Sequence, residues 1–312
     1  MVLCDLSCRS SMDISIRQKI KKVVGNWADR SFWFGAAEFY GLHKGYYRKA
    51  NRDPLGIDIM SAEWDTLIIL DACRYDTFVD CQLDSWPEAI PVRSKAANTY
   101  NFYTRNFQGA NPDTVAVTAN PRTTTIRGDA FHDIVPVYDT DWNDKHGTVM
   151  PDVMAKRTIE AHQNYPDKRI LSHWIQPHYP FVGSKLTEHA FDGEAVWNEL
   201  QRGTVSARNV KEAYEECLEY TLPHVQTILT SEDVTGRIVV SSDHGNAFGE
   251  SPPGWPLPVY GHPRGVLMEE LVTVPWLIYE TGTDRRKIVA DESREQSPSG
   301  DVEDRLADIG YV

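Results

Sequence analysis

The sequence has 312 residues, with 45 acidic and 32 basic side chains and a formal net charge of −13. This charge repels nucleic acid phosphates, and no stripe of Lys and Arg offsets it, so nucleic acid binding is not expected. Hydrophobic residues make up 41% of the chain, and no stretch approaches the roughly 18 to 20 continuous apolar residues of a membrane-spanning helix, which indicates a soluble globular protein.

Residues 1–60 are predicted to form an N-terminal helical arm. The first residues lack the basic segment followed by an apolar run that marks a signal peptide, so we expect a cytoplasmic location. Between residues 13 and 50 a basic stretch precedes a segment crowded with aromatic side chains, SFWFGAAEFYGLHKGYY. Two interpretations stay open for this segment. It either packs as amphipathic helices over the main domain, or it forms a surface that contacts lipid or a lipid-linked substrate.

Residues 61–282 alternate short apolar segments with helical patterns. Five segments resemble buried strands: TLIIL 66–70, TVAVT 114–118, RILSHWI 169–175, RIVVSS 237–242 and VPWLIY 274–279. Residues 206–229 have helical spacing, with a kink expected near Pro223. Strands separated by helices predict an α/β fold with a mostly parallel central sheet covered by helices on both faces. The charged, Ser- and Pro-rich start of residues 283–312 predicts a solvated C-terminal tail.

Polar side chains follow three of the predicted strands. Asp71 comes directly after the first, His178 follows the third, and Asp243 and His244 follow the fourth. The carboxyl ends of parallel strands meet at one edge of a sheet, where ligand sites form. Two carboxylates and an imidazole suit a divalent cation, so we predict a metal site of Asp71, Asp243 and His244, although Asp71 alone fits a solvated acid or a helix cap equally well.

Four segments occur in the order and spacing of a known family. WDTLIILDACRYDTF, HWIQPHYPF, SSDHGNAFGE and YGHPRG with the later ELVTVPWLIYE resemble the sulfatase-like branch of the alkaline phosphatase superfamily over residues 64–280. The resemblance implies a metal-dependent hydrolase or transferase that acts on sulfate or phosphate esters through a covalent intermediate. It also implies that His178 and His262 contact the anionic group of the substrate or the leaving-group oxygen.

The family places its nucleophile at the start of a helix between the first two strands, and Thr99 is the corresponding candidate here. A helix N-terminus offers unpaired N–H groups and a positive dipole to a developing oxyanion. Ser94 is the rival, and a simple capping role for Asn98 or Thr99 is the remaining alternative. Cys73 is followed by RYD rather than by the x-Pro-Ser-Arg that formylglycine enzymes carry, so that modification is not expected.

Two further positions depart from, or add to, the family pattern. Asn246 stands where relatives often carry Glu after Asp-His-Gly, which removes a charge and weakens any role assigned to that position. Arg74 either binds the substrate anion or pairs with Asp76, and the ion pair is the favoured interpretation.

The leading hypothesis is therefore an enzyme that attacks phosphate or sulfate esters of a small molecule, glycan or lipid with Thr99. No second cluster of Asp and His follows a strand, which favours one divalent ion, Mn, Zn, Mg or Ca, that lowers the pKa of the Thr99 hydroxyl. The alternative is a catalytically inactive binding or scaffold subunit with the same fold, acting in surface-glycan assembly. The sequence alone does not choose between sulfate and phosphate.

Overall fold

The computed structural model describes residues 56–186, 196–252, 258–290 and 302–309. The aromatic segment between residues 13 and 50, and with it the predicted arm up to residue 55, lies outside these residues. Residues 291–301 and 310–312 of the predicted tail lie outside them as well.

A central sheet of seven strands organises the described residues, and a two-stranded hairpin adjoins it. The strands are β1 (Thr66–Leu70), β2 (Ile90–Arg93), β3 (Asn111–Thr118), β4 (Phe131–Pro136), β5 (Arg169–Trp174), β6 (Arg237–Ser242), β7 (Ala247–Phe248), β8 (Tyr260–Gly261) and β9 (Thr273–Glu280). The order across the sheet is β2-β9-β6-β1-β5-β3-β4, and β7 pairs with β8. In the seven-stranded sheet β9 is antiparallel to both of its neighbours, β2 and β6, and the other neighbouring pairs are parallel. The predicted mostly parallel α/β fold is confirmed.

Helices connect the strands and cover the sheet. Those in the described residues are α1 (Tyr75–Cys81), α2 (Thr99–Asn106), α3 (Arg122–Arg127), α4 (Val137–Thr140), α5 (Pro151–Asn164), α6 (Val196–Arg202), α7 (Ala207–Leu229), α8 (Glu269–Val272) and α9 (Val302–Asp308). Pro223 lies within α7, which continues through it as one helix.

Strand β1 shows why its sequence is apolar throughout. Ile68 and Leu70 belong to one hydrophobic cluster, which also contains residues of α5 and α7. Leu67 and Ile69 belong to a second cluster, which contains the α2 residue Phe102. Since successive side chains of a strand point to opposite faces, a strand covered on both faces has no solvated position.

Two edge strands, β2 and β4, are not among the strands that the sequence predicts. Three of the four residues of β2, IPVR, are exposed, and the fourth is partly exposed. Strand β4, FHDIVP, carries the polar residues His132 and Asp133 in its first half. Neither has the continuous apolar pattern of a buried strand, because each lies at an edge of the sheet.

The C-terminal helix α9 packs on the main domain. Val302, Leu306 and Ile309 belong to the same hydrophobic cluster as Ile68 and Leu70. The periodic apolar residues after the charged start of the predicted tail therefore serve a packing role. No helix in the described ranges has the length and hydrophobicity that would let it span a bilayer.

Candidate metal centre and nucleophile

Strands β1 and β6 bring the three predicted metal ligands together. The strands pair in parallel with Leu70 opposite Ser242, so the residues that follow them, Asp71 and Asp243, emerge side by side. One ligand atom from each of Asp71, Asp243 and His244 lies within 4.8 Å of the other two, and all three side chains are buried. The sheet edge thus holds the cluster that the sequence predicts.

Thr99 joins this cluster from the first turn of α2. Asn98 caps the helix, with its side chain accepting a hydrogen bond from the Asn101 N–H at 3.0 Å. The Thr99 hydroxyl donates to Asp243 Oδ2 at 2.8 Å and lies 3.2 Å from His244 Nε2 and 3.5 Å from Asp71 Oδ2. Because Asn98 provides the cap, the Thr99 hydroxyl is directed to the cluster and not to the helix backbone.

The backbone on both sides of the cluster adopts geometries that few residues tolerate. Ala72 has φ +58°, a left-handed conformation that costs a residue with a side chain ~1–2 kcal/mol. Its N–H donates to Asp243 Oδ1 at 3.0 Å, and its carbonyl accepts from the Tyr214 hydroxyl at 2.8 Å. A Cβ at Gly245 would lie 2.0 Å from the Glu270 carbonyl oxygen, so glycine is required after His244.

The tautomer of the neutral His244 ring follows from its hydrogen bonds. Its Nδ1 lies 2.8 Å from the Gly245 carbonyl oxygen, which only accepts, so in the neutral ring Nδ1 carries the hydrogen and Nε2 presents a lone pair. That Nε2 lies 3.3 Å from Asp243 Oδ2 and 3.6 Å from Asp71 Oδ1. Electron-rich atoms at such distances repel one another unless a cation lies between them. Two carboxylates and a neutral imidazole therefore fit a divalent metal ion.

The two carboxyl groups have pKa values displaced in opposite directions. Burial disfavours the charge on Asp71, but contact with His173, and attraction to His178 and His244 when those rings are protonated, outweigh it and lower the pKa of Asp71. Burial, followed by the charge of Asp71, raises the pKa of Asp243. The first carboxylate to ionise disfavours the second. A bound cation would remove that conflict.

Two residues that the sequence analysis did not assign to the site contact Asp71. Asn120, just beyond β3, donates from Nδ2 to Asp71 Oδ2 at 2.7 Å. His173 is buried in β5 with Nε2 3.5 Å from Asp71 Oδ2 and Nδ1 2.6 Å from the Tyr103 hydroxyl. Asn120 follows a predicted strand as Asp71 does, so the strand-end rule could have found it.

A pair of histidines, His178 and His262, lies beside the cluster. The Nε2 atoms of His178 and His262 are 2.9 Å apart, and the ring centres of His244 and His262 are 4.6 Å apart. His178 Nδ1 lies 2.7 Å from the Tyr179 carbonyl oxygen, so in the neutral ring the hydrogen is on Nδ1 and the hydrogen shared with His262 comes from His262. Burial lowers the pKa of both histidines, which keeps them neutral.

The alternatives of the sequence analysis have clear positions in the structure. Ser94 donates its hydroxyl to the Asp243 backbone carbonyl at 2.5 Å. Arg74 forms ion pairs with Asp76 and Glu250, as its structural interpretation predicts. Asn246 is buried, and its side-chain amide has no hydrogen-bond partner among the described residues.

Comparisons with known proteins extend the fold assignment. No family model and no curated protein matches the sequence. Among solved structures, the integral membrane protein lipooligosaccharide phosphoethanolamine transferase A from Neisseria meningitidis matches with a TM-score of 0.50 and 12% identity, over 77% of this chain and 54% of that one. The C-terminal periplasmic domain of EcEptC from Escherichia coli, in complex with Zn, matches with 0.49 and 15%, over 73% and 77%. This chain thus spans about half the length of the Neisseria protein.

The described residues therefore share their fold with the Neisseria transferase.

Proposed function

We propose that this protein is a metal-dependent enzyme that transfers or hydrolyses a phosphate ester, with Thr99 as the nucleophile. The observation that carries the proposal is the position of the Thr99 hydroxyl, 2.8 Å from Asp243 Oδ2, 3.2 Å from His244 Nε2 and 3.5 Å from Asp71 Oδ2. A hydroxyl used only for packing or capping has no reason to contact three buried metal-ligand candidates.

Asp71, Asp243 and His244 would hold one divalent cation, which would lower the pKa of the Thr99 hydroxyl and neutralise charge on the ester when bound. The Thr99 oxygen attacks phosphorus as its proton leaves to water, because Asp243 Oδ2, which accepts its hydrogen bond, would then be a metal ligand. The bond from phosphorus to the leaving oxygen breaks. The His178–His262 pair would protonate that oxygen only after gaining one proton from solvent, because a neutral imidazole that gave up its only N–H proton would become an imidazolate.

A second nucleophile then attacks the phosphorus atom on Thr99, the bond from phosphorus to the Thr99 oxygen breaks, and the Thr99 hydroxyl is restored. Water as the second nucleophile gives hydrolysis, and a hydroxyl of a glycan or lipid gives transfer. The N–H groups of the first turn of α2 stabilise negative charge next to Thr99 in both steps. Phosphate is preferred to sulfate here because the Neisseria protein is named as a phosphoethanolamine transferase. That name also favours a lipid-linked or glycan-linked substrate.

Turnover of p-nitrophenyl phosphate, bis(p-nitrophenyl) phosphate and p-nitrophenyl sulfate, each with Mn, Zn, Mg or Ca, tests the proposal. We expect turnover of a phosphate ester that chelators abolish. Replacing Thr99 with Ala should lower kcat at least about 1,000-fold, because an enzyme that has lost its nucleophile keeps only binding and charge stabilisation.

Two control variants separate the nucleophile from its surroundings. Thr99→Ser keeps a hydroxyl at the same position and should retain turnover. Ser94→Ala removes the rival hydroxyl, which bonds a backbone carbonyl, and should lower turnover far less than Thr99→Ala. Full turnover by Thr99→Ala would remove the nucleophile assignment. A wild-type protein that is inert toward all three esters with every metal would support the scaffold alternative instead.

A further inference from the structure

Tyr100 and Arg264 form an exposed pair at the surface. Tyr100, the second residue of α2, is 42% exposed, the most of any large aromatic side chain among the residues that the structure describes. The guanidinium carbon of Arg264 lies 5.1 Å from the centre of the Tyr100 ring. Arg264 is itself exposed. A guanidinium over an aromatic face is attracted by the ring, so the ring limits the orientations that Arg264 adopts.

Both residues adjoin the candidate centre along the chain. Tyr100 directly follows Thr99, whose hydroxyl contacts Asp243. Arg264 is two residues after His262, whose ring is 4.6 Å from that of His244. Consecutive Cα atoms are about 3.8 Å apart. The Cα of Tyr100 is therefore about 4 Å from that of Thr99, and the Cα of Arg264 lies within about 8 Å of that of His262. The pair is therefore close along the chain to Thr99 and His262 and, unlike the buried Thr99, is exposed to solvent.

The charge environment of Arg264 differs from that of Arg74. Arg74 is neutralised by ion pairs with Asp76 and Glu250. No carboxylate within the described ranges forms an ion pair with Arg264. The chain has 45 acidic and 32 basic residues, so acidic partners are abundant. An arginine that keeps its fork of donors open beside the nucleophile is available to an anion from solution.

We propose that Arg264, oriented by Tyr100, binds a second anionic group of the substrate, separate from the phosphate that Thr99 attacks. This inference rests on the proposed function and narrows its substrate class to esters that carry another negative charge, such as a carboxylate or a further phosphate. Two parallel N–H donors of a guanidinium match both groups. Arg264 acts in binding and specificity and takes no part in bond breaking.

Equilibrium binding of two non-hydrolysable ligands tests this subsite without depending on turnover. The ligands are (4-carboxyphenyl)phosphonate and (4-carbamoylphenyl)phosphonate, which differ in the charge of one group. Calorimetry uses the full chain with each of Mn, Zn, Mg and Ca. We expect the wild type to bind the carboxylate ligand about tenfold more tightly, since a charge-assisted hydrogen bond contributes more than a neutral one. Arg264→Gln should remove this preference and leave binding of the carbamoyl ligand within about twofold.

The control is Arg237→Gln, another arginine substitution at the start of β6. The metal ligands follow the end of this six-residue strand, about 20 Å away at 3.3 Å per residue, so the preference should persist. The absence of a preference in the wild type, or its persistence in Arg264→Gln, overturns the subsite, as does failure of both ligands to bind. An Arg264-dependent preference without turnover of any ester would retain the subsite and reject the proposed function. Turnover of an ester without a preference for the carboxylate ligand would retain the proposed function and reject the subsite.

Discussion

Asp71 has one carboxylate oxygen whose position is set by a neutral donor. Asn120 Nδ2 donates to Oδ2 at 2.7 Å, while Oδ1 lies 3.6 Å from His244 Nε2. Asn120 is itself fixed, since its Oδ1 accepts from the Arg122 N–H at 2.9 Å. The Asn120 side-chain amide is thus hydrogen-bonded through both its nitrogen and its oxygen, so it orients the Asp71 carboxylate without adding charge. Residues that orient a metal ligand in this way strongly influence metal affinity.

Replacing Asn120 with Ala should therefore weaken binding of the divalent cation by about 10- to 100-fold, the usual effect of removing an outer partner of a ligand. Titration calorimetry of Mn and Zn into the chelator-treated protein measures this directly, without an activity assay. Asn111→Ala is the matched control, because Asn111 lies at the start of β3, the strand whose far end precedes Asn120. Equal metal affinity in the wild type and Asn120→Ala would show that Asn120 has no orienting role.

Helix α2 is the element that presents the nucleophile, and its first turn depends on one cap. Asn98 accepts the Asn101 N–H at 3.0 Å, and Thr99 is the next residue. The cap therefore stabilises the helix and fixes the backbone that carries the Thr99 hydroxyl. Ser206 caps α7 in the same way, accepting the Asn209 N–H at 3.1 Å.

This pair of caps gives a prediction with an internal comparison. Asn98→Ala and Ser206→Ala should each lower the free energy of unfolding by about 1 kcal/mol, because each removes one capping bond. Only Asn98→Ala should also lower kcat, by about tenfold or more, since misplacement of a reacting group is costly. Denaturant unfolding and turnover of the preferred phosphate ester measure the two effects. Equal kcat in the two variants would contradict a positioning role for the cap.

Strand ends account for the part of the site that the sequence predicts. Asp71 and the pair Asp243-His244 follow continuous apolar strands, and parallel neighbours must release such residues side by side. The contact between His173 and Asp71 was not predictable in this way. His173 lies inside β5 opposite Ile69, so its reach to Asp71, two residues further along, depends on the β1–β5 register. Register across a crossover connection is a tertiary property that local patterns do not encode.

The two ends of the central sheet carry different features: the candidate site lies at one end and a group of ion pairs at the other. The candidate centre lies at the carboxyl ends of β1 and β6. At the opposite end, Arg237 at the start of β6 pairs with Glu63 and Glu280, and Arg285 pairs with Asp65 next to β1. Substitutions at the amino ends should thus change stability without changing the site. The cytoplasmic location stays a prediction, which cell fractionation would check.

His162 lies at the end of the sheet that carries the ion pairs, and it links folding to pH. Its Nε2 lies 2.8 Å from the hydroxyl of Thr66, the first residue of β1, and Nδ1 accepts from the Arg286 guanidinium. The neutral His162 ring thus uses both of its nitrogens in hydrogen bonds. Burial, with the charge of Arg286, lowers the pKa of His162 to about 3, whereas an unfolded histidine titrates near ~6.5. The unfolded chain therefore binds a proton that the folded chain rejects.

The sign of the effect on stability follows from this difference in protonation. The contribution of His162 is fully present above pH ~6.5 and is lost as pH falls toward 3, by up to ~1.4 kcal/mol per pH unit. Replacing His162 with Gln should lower the free energy of unfolding at pH 7.5 and make its decline between pH 6 and 4 shallower than in the wild type. Urea unfolding at half-unit pH intervals measures both slopes. His224→Gln, at a half-buried position on α7, controls for loss of an imidazole. A buried neutral His162 must make stability depend on pH in this range. Equal slopes of unfolding free energy against pH in the wild type and His162→Gln would therefore show that the pH dependence comes from other groups.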